Sequence, residues 1–153
     1  MNLRNLFLLM ALCVVFSCKE DPEEKEYGQT FILRTGTVCG WCSQNDTLEI
    51  KGNAVRYVNY AQCQNSNPSE EKSGKLLNSE IDNLLKKLDA EEFKKLDLNS
   101  CNICVDGCDD WIYFENDAMS HYIRFSRNDS KLEPIQSFIN ELFVLKSKYS
   151  SGN

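Results

Sequence analysis

Cysteine is the residue type here whose number and spacing could do chemistry: the 153-residue chain holds eight, among them Cys39-Gly-Trp-Cys42, Cys101-Asn-Ile-Cys104 and Cys108. Thiol–disulfide exchange, thiolate metal binding and structural cross-linking all draw on such a set. Exchange needs the first thiol of a C-x-x-C at a helix N-terminus, where partial positive charge stabilises the thiolate. Ser43-Gln44-Asn45-Asp46 instead leads straight into a strand pattern. Zinc would take the two C-x-x-C knuckles with Cys108, but the knuckles are too far apart for the usual spacing. Cross-linking fits best. His121 is the single histidine, so any Ser-His-Asp or Cys-His constellation would have to use it. Asp106, Asp109 and Asp110 beside Gly107 lack the Asp-x-Asp-x-Asp-Gly order of a calcium loop, and read as a solvated, turn-forming acidic loop. No motif calls for a metal or another cofactor, and no catalytic constellation emerges.

These residues must be positioned by strands and helices that the pattern marks. Phe31-Ile32-Leu33 starts a first strand that stops at Gly36. Residues 46–51 and 54–60 form a hairpin around Gly52-Asn53, with glycine first as a type II′ turn prefers. That turn places Ile50 opposite Val55, Leu48 opposite Tyr57, and Glu49 opposite Arg56 as an ion pair on the other face. Residues 64–74 are a polar loop ending in an edge strand. Asn78 or Ser79 caps a helix bearing Ile81, Leu84, Leu85 and Leu88, and Asp89 caps a second with Phe93 and Leu96. A cysteine-rich loop fills 99–110.

A second hairpin, 111–115 and 119–126, turns at Asn116-Asp117. It sets Ile112, Phe114, Met119, His121, Ile123 and Phe125 on an inner face, where His121 reads as structural. Trp111, Tyr113, Tyr122 and Arg124 share the outer face, a surface suited to a protein or glycan partner. A closing helix has Pro134 near its first turn and an apolar stripe of Ile135, Phe138, Ile139, Leu142 and Phe143. Strands, helices, strands and helix in that order predict an α+β domain: an antiparallel sheet of about four to six strands, helices on one face, stapled by disulfides.

The N-terminus sets the compartment. Leu6 to Phe16 is an apolar run behind Arg4, too short for the about 20 residues that span a bilayer. It has the form of a secretory signal, 1–17, and its end, Val15-Phe16-Ser17-Cys18, resembles the lipobox of bacterial lipoproteins. That resemblance implies cleavage before Cys18 and palmitate-type acylation there, enough to hold the chain on a membrane. Residues 18–28 are an acidic tether. Its Lys19-Glu20-Asp21 looks like the export signal of surface lipoproteins, so the expected location is the outer membrane or cell surface. Residues 29–149 form one domain, as the length allows. A net charge of −6 disfavours nucleic acid, and 42% hydrophobic residues suffice for a core.

Cys13 leaves with the signal and Cys18 takes lipid, so six cysteines remain for an oxidising compartment. Extending the first hairpin's register sets Cys42 opposite Cys63, within disulfide reach. Cys39 then joins Cys101, Cys104 or Cys108, and the other two pair locally. The motifs Gly36-Thr-Val-Cys-Gly-Trp-Cys42, Asn99 to Ile112 around three cysteines, and Ile123-Arg-Phe125 resemble a group of small exported bacterial lipoproteins. The resemblance implies location and a single domain, and carries no mechanism. The chain thus reads as a lipid-anchored binding or structural module. The alternative is a thiol–disulfide or metal-handling protein using Cys39 and Cys42.

Overall fold

Phe31, Leu33, Thr35, Thr37 and Cys39 alternate with residues of the opposite face, and that period of two carries one strand, β1 (Phe31–Cys39), without a break. All five are buried. The strand therefore continues through Gly36, where the sequence pattern had put its end. Glycine belongs there because any Cβ would meet the Asp46 carbonyl oxygen at 2.1 Å and the Trp111 indole at 2.8 Å. The computed structural model describes residues 31–60 and 68–150.

Strands β2 (Asn45–Lys51) and β3 (Ala54–Asn59) make the expected hairpin. Ile50 faces Val55, Leu48 faces Tyr57, and Glu49 faces Arg56. Gly52 has φ 53° and Asn53 lacks a positive φ, as a turn of the II′ kind requires. The ion pair differs from expectation. Glu49 turns to Arg34 at 2.5 Å and to Lys51 at 3.2 Å, while Arg56 crosses to Glu71 on the edge strand β4 (Glu70–Lys75) at 2.7 Å. Each long side chain has a strand on either side, and facing residues need not choose each other.

Strands β5 (Cys108–Asn116) and β6 (Met119–Phe125) form the second hairpin. β5 begins inside the segment expected to be loop. The turn is Asp117-Ala118 rather than Asn116-Asp117, because the Asn116 carboxamide oxygen accepts from the backbone of Ala118 and Met119. Moving a two-residue turn by one position shifts the pairing by two, so every side chain keeps its face. The six antiparallel strands lie in the order β4-β3-β2-β1-β5-β6, with β1 at the centre.

Between β4 and β5 run α1 (Asn78–Lys87) and α2 (Ala90–Lys95). Leu77, not Asn78 or Ser79, is the cap of α1, and its backbone N–H donates to the Glu80 carboxylate at 2.8 Å. Asp89 caps α2 as expected, accepting from Glu92 N–H at 3.0 Å. A 3-10 turn over Ser130–Ile135, containing Pro134, leads into α3 (Gln136–Ser150). Ile81, Leu84, Phe93, Phe138 and Leu142 from the helices join Leu33, Ile50, Ile112 and Phe125 from the sheet in one core. Burying each such side chain contributes roughly 1.5–3 kcal/mol. The architecture is the α+β fold expected, with helices on one face of the sheet.

Cys39 and Cys108 are direct partners in the β1–β5 register and form a disulfide, with Cα atoms 4.0 Å apart. Cys101 and Cys104 close a second one around a 3-10 turn, Asn102–Val105. These are the long-range staple from Cys39 and the local pair of the remaining two that the sequence predicts. The Cys42–Cys63 pairing lies outside the described residues, although the register that suggests it extends to Tyr60 N–H, which donates to Asn45 O at 2.8 Å.

Candidate functional site

The hairpin β5–β6 brings Trp111, Tyr113, Tyr122 and Arg124 onto one surface, as the alternation predicts. Trp111 is opposite Arg124 and Tyr113 opposite Tyr122. The Trp111 and Tyr122 rings lie 6.2 Å apart at 31°, and the Arg34 guanidinium sits 5.7 Å from the Tyr113 ring centre. The Trp111 indole packs against Gly36, so β1 supplies the floor of this platform. Tyr122 is 48% exposed and presents the open edge. Burial and the Asp109 carboxylate push its phenol upward in pKa, against the opposing charge of Arg124. A flat aromatic pair with adjacent cations can stack on a sugar ring, an aromatic side chain or a guanidinium.

Arg124 is held from below. Its Nη2 lies 3.0 Å from the Asp109 carboxylate, which is fully buried. Asp109 also accepts from Ser100 Oγ at 2.7 Å and from the backbone N–H of Asn102 and Ile103. Burial raises its carboxyl, but these donors and Arg124 outweigh burial and hold it below the usual aspartate value. Asp109 and Asp110 are thus buried anchors, contrary to the solvated acidic loop expected. Only Asp106 of the three is exposed. Pairing to arginines across the fold makes their burial tolerable.

On the inner face a second polar group assembles. Thr37 has Asp46 and Asp110 as its register partners on the two neighbouring strands. Its hydroxyl donates to Asp110 at 2.5 Å and accepts from Lys146 Nζ at 2.7 Å. Lys146 ion-pairs with Asp46, and Arg127 grips Asp110 through two nitrogens at 2.5 and 3.1 Å. Asp46 also receives the Thr37 N–H and Gln44 Nε2, both at 2.9 Å. Burial and the Asp46 charge push the Tyr57 phenol up to about 12. A cleft of about 360 Å³, lined by Gln44, Tyr57, Asn59, Arg127 and Phe143, opens beside the cluster. With each carboxylate matched to one cation, the arrangement reads as a buried structural network. The sequence reading missed it. Its signal was Lys146, a lysine four residues after Leu142 and seven after Ile139, on the apolar stripe of α3.

His121 is satisfied structurally: Nε2 lies 2.8 Å from Leu96 O, and its ring meets Phe93 edge-on at 5.2 Å. Among the described residues no three His, Cys, Asp or Glu side chains gather as metal ligands, and no helix is long and apolar enough to cross a membrane. Comparison with known proteins found no matching family model and no matching curated protein.

Proposed function

We propose that this chain is an exported lipoprotein, held on the outer membrane or cell surface through acylated Cys18, whose domain is a non-catalytic binding module. The observation that carries the reading is the pair of closed disulfides, Cys39–Cys108 and Cys101–Cys104. Such cross-links form and persist in oxidising compartments, which agrees with the signal-like N-terminus and lipobox-like Val15 to Cys18. Using Cys39 in exchange chemistry would first require opening its bond to Cys108. The contact surface is the platform of Trp111, Tyr113, Tyr122 and Arg124, which offers a partner protein or glycan a rigid apolar plane beside fixed positive charge.

Metabolic labelling with an alkyne-tagged palmitate tests the anchor. The wild-type chain should take the label into the membrane fraction, and Cys18→Ser should lose it. Alkylation without reductant, followed by intact mass, should leave the domain cysteines unmodified. An unlabelled chain with reactive domain thiols would overturn the reading.

A further inference from the structure

The end of the sheet where β1 and β5 are joined carries a second exposed surface that the platform does not include. Among the described residues two non-glycine residues have positive φ, Trp41 at 54° and Asp106 at 63°, and both are here. Their loops pack backbone to backbone: Gly40 N–H donates to Gly107 O at 2.8 Å, and a Cβ on Gly40 would come within 2.7 Å of the Asp106 Cα. Cys39–Cys108 ties the bases of the two loops and Cys101–Cys104 closes one of them. From this doubly stapled tip the chain displays Trp41, 86% exposed, and Val105, 78% exposed.

A left-handed backbone is tolerable for aspartate, but for a bulky residue such as tryptophan it is a true outlier. An indole also forfeits a large burial when left in water. The fold therefore accepts strain and lost burial at one residue, and holds it rigid with cross-links. Strained residues that persist in an over-determined frame concentrate at sites of function. Rigid aromatic residues are also the commonest anchors of protein interfaces, because little conformational freedom is lost on contact.

We infer that this tip is a docking surface for a partner protein that offers an apolar pocket for Trp41 with a cationic rim. Asp106 is the sole charged residue within 36–45 and 98–108, so these two loops themselves carry one negative charge and no lysine or arginine. That balance favours a basic partner over an anionic lipid surface. The tip also lies at the opposite end of β1 from Phe31, nine strand residues of roughly 3.3 Å each away. The docking surface does not depend on Cys18 carrying lipid.

The full-length chain, with phosphatidylcholine vesicles present in the solution, can be used to select binders from a phage-displayed random peptide library. The enriched peptides should combine apolar residues with Lys or Arg. Their affinity should fall about tenfold or more for Trp41→Gly and for Val105→Ser. Trp41→Gly should melt no lower than wild type, which separates contact from folding. Peptides that bind Trp41→Gly as tightly, or failure to enrich any, would overturn the inference. Quenching of tryptophan emission by brominated lipid that disappears in Trp41→Phe would overturn it too, by placing Trp41 in the bilayer.

Discussion

In the first half of β1, Leu33 faces Ile50 on one neighbouring strand and Phe114 on the other, and apolar helix residues close over them. Four residues later on the same face, Thr37 faces Asp46 and Asp110, and the helix α3 lowers Lys146 onto it. Both halves are buried to the same degree. One is stabilised by removing apolar area from water, a non-directional effect that tolerates approximate fits. The other depends on each carboxylate keeping its cation and each hydroxyl its partner, since a half-satisfied network in low dielectric is worse than an apolar core. A single strand thus passes from forgiving packing to exacting pairing, and the disulfide-stapled tip that holds Trp41 is built on its exacting end.

Breaking the polar half should have the largest effect. Lys146→Met leaves Asp46 buried without its cation and should lower stability by roughly 3–5 kcal/mol, measured by urea unfolding. Because Asp46 keeps the Thr37 N–H and Gln44 as donors, adding Asp46→Asn should cost less than the sum of the two single changes. In the apolar half, Leu33→Ala should lower stability by about 2–5 kcal/mol through lost burial and a cavity. If Leu33→Ala is damaging and Lys146→Met is neutral, the contrast between the halves fails.

A pH series sharpens the contrast. The Tyr57 phenol is raised from 10.0 to about 12, so the unfolded chain ionises first as the solution becomes alkaline. Stability should be intact below pH 10 and be lost as pH rises toward 12, and Tyr57→Phe should flatten that limb. Asp109 has the opposite sign. Its lowered pKa means that its contribution is present above the ordinary value of 3.8 and is lost on acidification through the folded pKa. Leu33→Ala should leave the shape of both limbs unchanged. The smallest effect belongs to the solvent-facing side of the same strand. Arg34→Ala breaks the pair with Glu49 but should change stability by less than about 1 kcal/mol, because both groups keep contact with water.

Where local chemistry decides, the elements are legible in the residues. Gly52-Asn53 sets a turn, the turn sets a register, and alternation then assigns Leu48, Ile50, Val55 and Tyr57 to one face. Alternation likewise puts Trp111, Tyr113, Tyr122 and Arg124 on one face, an assignment that survives an error of one residue at the turn, whereas the facing pairs Trp111–Arg124 and Tyr113–Tyr122 depend on where the turn lies. Asp109 and Asp110 were misread because an acidic cluster near glycine is usually solvated. Nothing nearby in sequence announces Arg124 and Arg127, which neutralise them from β6 and just beyond it. The first strand was cut short at Gly36 because glycine usually interrupts strands. The reason for this one is the close approach of the Asp46 carbonyl and the Trp111 indole, from two other strands.

Composition, periodicity and turn residues by themselves determined an α+β domain with helices over one face, and cysteines suited to stapling. These follow from interactions within a few residues or from totals over the chain. Only the tertiary structure decided that Cys39 takes Cys108, that Lys146 enters the interior to meet Asp46 and Thr37, and that Trp41 is left in water on a strained loop. Each of those depends on which strands become neighbours. The placement of β5 beside β1 joins residues about seventy positions apart, at the distance where Coulomb attraction, hydrogen bonds and sulfur–sulfur bonds begin to act.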